Sequence, residues 1–304
     1  MVALATSSYA KFMKNITDDR IAESIVKTQP NVFKEKINFE RAFRESGIPF
    51  QQWCVAYVKE RVRALKVIYE EYPLSAADKD TRVDFVAAYQ DRYNLVVECK
   101  QCNPEYKAWL FPRSNKDQFA KPEVYCVEKQ AHNPTLSELS NQAKIVRRST
   151  NFYTHLSSYE SLYPFEAKIP KKANDKNFDI ESIQNAAYQA SQSCIGLMKE
   201  KWDYLTRESP GSFNYYPVII TTAELYYMKH DPLQYDHFEE KLPTDKFRPV
   251  DIALYHYPVS DSLWAFHIKR AFGDKGNPHK RLPILIVNYK KIGEFFDLFQ
   301  RGVD

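Results

Sequence analysis

The sequence predicts an α/β protein with a mixed central sheet flanked by helices, and three observations carry that expectation. Thr81–Gln101, TRVDFVAAYQDRYNLVVECKQ, holds two short runs rich in Val, Phe and Tyr around a polar turn, the pattern of a β-hairpin. Pro217–Thr222, PVIITT, is almost continuously apolar, as a strand covered on both faces must be. Two other stretches, from Pro49 and from Ile180, repeat apolar residues at helical spacing.

Taken in order, residues 1 to 48 read as a helical extension, with Asp18 capping RIAESIVK and NFERAFRES ending at Gly47. Pro49 opens a helix whose Phe50, Trp53, Cys54, Tyr57, Val58, Arg61 and Leu65 fall mostly on one face. LKVIYEEYPL is the first strand, and Arg82–Tyr89 with Asn94–Gln101 forms the hairpin. An insertion follows at about 103–181, with a helix expected over Thr135–Arg148. Ile180–Leu205 then forms a long helix with Ile183, Ala187, Ala190, Cys194, Leu197 and Trp202 near one face. After PVIITT come three strand-like runs, VDIALYHYP, LWAFHIKRAF and LPILIVNY, and a closing helix, KIGEFFDLFQ. Two domains result: the extension to residue 48, and an α/β domain from 49 to 304.

The composition restricts the function classes. With 44% hydrophobic and 14% aromatic residues, the chain of 304 residues can bury a substantial core. A mean hydropathy of −0.55 and the lack of a long apolar run argue against a membrane span. The opening MVALATSSYAKF has no basic segment leading into an apolar one, so the expected compartment is the cytoplasm. Five scattered cysteines suit reduced thiols better than a disulfide framework. Cys99, Cys102, Cys126 and His132 lack a second CxxC, which favours structural cysteine over a zinc site. No phosphate-cradling glycine loop, GxSxG elbow or HExxH spacing occurs. A net charge of +4 permits nucleic-acid binding without requiring it.

Chemistry concentrates in the hairpin. Side chains alternate along a strand, so Glu98 and Lys100 share one face while Val97, Cys99 and Gln101 take the other. A turn centred on Asp91 or Arg92 sets Asp84 opposite Glu98 or Lys100 respectively, and either register unites all three. Such a loop must be odd in length, because a two-residue turn sends Asp84 to the opposite face. Two converging carboxylates suit a hard cation such as Mg²⁺, and a lysine beside it suits hydrolysis of a phosphodiester.

With Asp84 in RVDF and Glu98-Cys99-Lys100 in LVVECK, the chain resembles the PD-(D/E)xK superfamily of restriction-endonuclease-like nucleases. Val83 stands where the motif is named for proline, a position without a chemical role. The resemblance implies a nuclease core with a mixed sheet and a Mg²⁺ site, with Mn²⁺ able to substitute. Asp84 and Glu98 would bind the metal, with the Cys99 backbone carbonyl as a further ligand, and Lys100 would position or activate the water. An upstream acid often completes such sites; Glu71 and Glu60 are the candidates here. For the nucleic acid, expected to be DNA, Lys269, Arg270, Lys275, Lys280 and Arg281 form the most basic stretch. A homodimer would cut both strands by symmetry. The alternatives are a nucleic-acid-binding or assembly protein retaining this fold without catalysis, and a phosphoryl-transfer enzyme acting on a small molecule.

Overall fold

The computed structural model describes residues 46–76, 79–102, 108–113, 123–129, 144–156, 160–167, 178–179, 181–207, 211–228, 247–259 and 281–303. The helical extension over 1–48 lies outside them apart from its last three residues, as does the LWAFHIKRAF run.

Helix α1 spans Ile48–Arg61 and is entered from Gly47, whose φ of 76° is open to glycine without strain. Pro49 in its first turn needs no helical hydrogen bond there. Three strands follow: β1, Leu65–Ala76; β2, Lys79–Tyr89; and β3, Tyr93–Lys100. Residues 103–181 supply β4 (Ala108–Pro112), β5 (Glu123–Lys129), β6 (Lys144–Ser149), α2 (Asn151–Leu156), β7 (Glu160–Ser161), β8 (Phe165–Ala167) and β9 (Phe178–Asp179). The long helix α3, Glu181–Arg207, leads to β10, Gly211–Thr221, and β11, Glu224–Met228. β12 (Phe247–Val250), β13 (Ile252–Pro258), β14 (Arg281–Asn288), a short 3₁₀ turn and α4 (Ile292–Val303) complete the fold.

Among the described residues, nine strands form a mixed sheet whose main path is β1-β2-β3-β10-β14-β13-β7. β1, β2 and β3 are antiparallel, whereas β10 runs parallel to both β3 and β14. β5 and β6 extend from β10, and a second sheet of five strands runs β12-β11-β4-β8-β9. The 103–181 segment is thus built into both sheets. The helix expected over Thr135–Arg148 is corrected at its end. Lys144–Ser149 is a strand paired with β5, whose ladder overrides the weak helical pattern of KIVRRS.

Helices cover both faces of the main sheet. Ile183, Ala187, Cys194 and Met198 of α3 pack on Val86, Val96, Ile219 and Ile286. On the other face, Cys54 and Val58 of α1 and Phe295 and Phe299 of α4 pack on Phe85, Val97, Val218 and Leu285. Each fully buried Phe of α4 contributes about 1.5–3 kcal/mol by leaving water. Trp53, expected on the buried stripe of α1, is 43% exposed and lies against Phe50, Tyr57 and Tyr289 instead. No described helix is long and apolar enough to cross a membrane.

Parallel packing sets the polarity of the site. Asn214 N–H donates to the Arg92 carbonyl at 2.7 Å, so β10 begins beside the hairpin turn. β3 and β10 both run away from that turn, and their carboxyl ends carry Lys100 and Thr221 side by side. A crevice at the carboxyl ends of parallel strands is where α/β sheets collect ligands.

Candidate active site

The hairpin turn fixes which side chains meet. Tyr89 pairs with Tyr93, leaving the three-residue loop Gln90–Arg92 centred on Asp91. The loop is odd in length, and the pairing runs to Phe85 and Val97; one step further sets Asp84 across from Glu98. Glu98 lies between Val97 and Cys99, which face the α1 side, so it and Lys100 share the α3 side with Val96.

At this end the strands part and a side chain takes over the ladder. The Cys99 N–H donates to Asp84 Oδ2 at 2.7 Å. A strand residue presents its N–H and C=O to the same side, so the Cys99 carbonyl lies along the edge that Asp84 occupies. Burial is the main force that raises the Asp84 carboxyl above the ordinary range. The Cys99 N–H opposes that shift, Glu71 adds to it, and Arg82 and Lys100 draw it back.

Glu98 is still more enclosed, at 8% exposure. Burial first, then the Asp84 charge, push its carboxyl far above the ordinary carboxylate range, against the pull of Lys100 and Arg82. The two adjacent carboxyls therefore resist carrying two negative charges together unless a cation joins them.

Glu71 and Asp84 occupy facing positions, between the pairs Glu70–Phe85 and Tyr72–Val83. Glu71 has a φ of 50°, a left-handed backbone that costs a non-glycine residue about 1–2 kcal/mol. Its carboxylate is held by Arg82 at 2.5 Å and accepts from Gln51 Nε2 at 2.9 Å. The same Gln51 nitrogen lies 3.4 Å from the Asp84 carbonyl, so α1 is tied to the site. Gln51 and Arg82 were not singled out in the sequence, where neither carries a motif.

The two upstream candidates separate clearly. Glu71 acts electrostatically on Asp84, whereas Glu60 is exposed on α1 and contributes to neither site carboxyl. Glu70 pairs with Lys59. In the basic stretch, Lys269, Arg270, Lys275 and Lys280 lie outside the described residues. Arg281 begins β14, and its carbonyl accepts from the Tyr125 hydroxyl at 3.4 Å.

The donors fit Mg²⁺ in one specific way. The described residues hold no group of three or more His, Cys, Asp and Glu side chains able to enclose an ion. Mg²⁺ commonly takes one or two protein carboxylates and completes its shell with water and substrate oxygens. Asp84, Glu98 and the Cys99 carbonyl suit that mode. The five cysteines are free thiols; Cys99 and Cys102 pack on opposite faces of the sheet, and Cys126 contacts Ser212.

Comparison with protein-family models, with curated proteins and with solved structures returns no match.

Proposed function

We propose that this protein is a Mg²⁺-dependent nuclease that hydrolyses phosphodiester bonds in DNA, built on a restriction-endonuclease-like core. One observation carries the reading: two adjacent carboxylates, the half-buried Asp84 and the buried Glu98, with Lys100 two residues further along the same strand face. Its support in the fold is the order helix, three antiparallel strands, long helix and parallel strand given by α1, β1–β3, α3 and β10. Mn²⁺ would serve in place of Mg²⁺.

Asp84, Glu98 and the Cys99 carbonyl would hold the metal, whose chemistry is to polarise a phosphoryl oxygen and acidify the attacking water. The Cys99 N–H keeps Asp84 oriented through its Oδ2 atom. Gln51 and Arg82 hold Glu71 beside Asp84 as the upstream acid. Lys100 supplies a positive charge next to the carboxylates, suited to orienting a water and to stabilising charge on the pentacovalent phosphoryl group.

The test is cleavage of supercoiled plasmid with Mg²⁺, Mn²⁺ or EDTA, comparing wild type with folded Lys100→Ala. Metal-dependent nicking reduced about 10²–10³-fold by the substitution supports the reading. Cleavage by Lys100→Ala at the wild-type rate removes it.

A further inference from the structure

Beside the carboxylates, edge strand β1 carries an aromatic stack. The rings of Tyr69 and Tyr72 lie 4.3 Å apart, inclined by 25°. Residues three apart in a regular strand face opposite sides. Here the left-handed backbone at Glu71 turns the chain between them. The fault is matched in β2: Tyr69 pairs with Val86 and Tyr72 with Val83, and both valines belong to the core under α3. The strained residue that faces Asp84 is therefore also the one that aligns the two rings.

The two tyrosines are fixed differently. Tyr72 packs against the core and its hydroxyl donates to Glu200 at 3.3 Å. Tyr69 stacks on that anchored ring and stays 39% exposed. It then lines a cavity of about 430 Å³ that reaches Asn94 and Asp91 at the hairpin turn. Tyr204, 52% exposed, lies on the same cavity with Phe213, and Lys201 Nζ sits 4.5 Å and 3.8 Å from the centres of those two rings. An aromatic track with a lysine thus begins at the Tyr69–Tyr72 stack beside Glu71 and runs along the cavity toward the hairpin turn, away from the carboxylates, with Lys201 over the Tyr204 and Phe213 rings.

We infer that this track binds unpaired nucleotides, so that the site acts on single-stranded nucleic acid or on the unpaired region of a longer one. The inference rests on the nuclease reading for the position of the scissile phosphate. Stacked bases in a duplex cover each other's faces, whereas unpaired bases lay theirs on aromatic rings irrespective of sequence. Tyr69 offers such a face and Lys201 offers a charge for the backbone; of the acids near the track, Glu71 is held by Arg82 and Gln51, Glu200 accepts from Tyr72, and Asp91 lies at the hairpin-turn end of the cavity. The track meets the candidate active site at the Tyr69–Tyr72 stack, which flanks Glu71 on β1.

The experiment is titration of the full chain, in EDTA, into a 15-mer of thymidine carrying one 2-aminopurine, beside the matched duplex and the matched RNA. Wild type is expected to quench the 2-aminopurine and to bind the single strand more tightly than the duplex. Tyr69→Ala should weaken single-strand binding about ten- to hundredfold, and Tyr69→Phe, which keeps the ring, should not. RNA binding with the same dependence on Tyr69 supports the track with RNA as the polymer. Absence of single-strand binding, or equal binding by Tyr69→Ala, overturns it. The two readings fail separately: Tyr69-dependent binding without metal-dependent cleavage keeps the track and removes the nuclease. Lys100-dependent cleavage of duplex untouched by Tyr69→Ala does the reverse.

Discussion

Asp84 Oδ2 accepts the backbone N–H of Cys99 at 2.7 Å, taking a place that a β2 carbonyl would hold in an unbroken ladder. The carboxylate that opens the hairpin is thereby oriented from the same residue whose carbonyl is the third donor of the candidate metal site. Asp84→Ala leaves that N–H without this acceptor and also removes one carboxylate of the proposed metal site. Asp84→Asn retains an acceptor oxygen but not the charge. We expect Asp84→Asn to keep wild-type stability within about 1 kcal/mol while losing Mg²⁺-dependent stabilisation, and Asp84→Ala to lose about 1–3 kcal/mol. Chemical denaturation with and without Mg²⁺ separates the two. Equal stability of both variants would show that the hydrogen bond does not hold the splayed end.

Glu98 gives a prediction of opposite sign. A buried carboxyl without a cation resists ionisation, so Glu98→Gln should raise the melting temperature at neutral pH in EDTA. Added Mg²⁺ should stabilise wild type and leave Glu98→Gln unchanged. Thermal melts in EDTA and in millimolar Mg²⁺ check both halves. A fall in melting temperature for Glu98→Gln in EDTA would contradict the unfavourable burial of the charge.

The pH dependence follows from the same two carboxyls. Burial raises both above their unfolded values, so the folded protein binds more protons than the unfolded chain through that range. Their contribution to stability is largest below the unfolded carboxylate range and is lost as pH rises through the raised one. Metal binding runs the other way, because the ligands must be ionised, and Mg²⁺ affinity should strengthen with rising pH. Denaturation in EDTA and calorimetric Mg²⁺ titration across neutral pH test the pair of slopes. Mg²⁺ affinity that weakens as pH rises would exclude this carboxyl pair as the ligand set.

Much of this site is legible in the hairpin, because side-chain alternation and an odd-length loop suffice to bring Asp84 to Glu98. Alternation also conceals what it cannot represent. Tyr69 and Tyr72 look like residues of opposite faces until the φ of Glu71 is known, and a positive φ at a glutamate has no sequence signature. Gln51 reaches Glu71 across a helix-to-strand contact between distant segments, so local pattern carries no trace of it. Lys144–Ser149 shows the same limit in the fold: the short β-branched pair Ile145 and Val146 is read as part of a longer helix until the pairing with β5 is known.

The turn itself can be strengthened. Gln90 and Asp91 both adopt left-handed backbone, with φ of 50° and 54°, and Arg92 N–H donates to the Tyr89 carbonyl at 3.1 Å. Glycine accepts the second of these positions without the penalty that a side chain incurs. Asp91→Gly should therefore stabilise the fold by about 1 kcal/mol. Equilibrium denaturation gives the value. Loss of stability would mean that the Asp91 side chain supports the turn more than its backbone strains it.

Gly302 tests the packing behind the site. A Cβ added there would lie 2.8 Å from both Cα and Cβ of Phe152, and neither atom belongs to a flexible side-chain end. Phe152 in turn meets Phe299 and Tyr216 edge-on, with ring centres 5.1 Å and 6.2 Å away, and Tyr216 belongs to β10. The added methyl can be accommodated only by moving α4 away from α2, which loosens this aromatic cluster against the sheet. Gly302→Ala should destabilise the fold by about 1–3 kcal/mol, the usual range for overpacking a dense interior. A surface control, Tyr163→Ala at a residue 70% exposed, should change stability by less than about 0.5 kcal/mol. If Gly302→Ala melts with the control, α4 is not in close contact with Phe152.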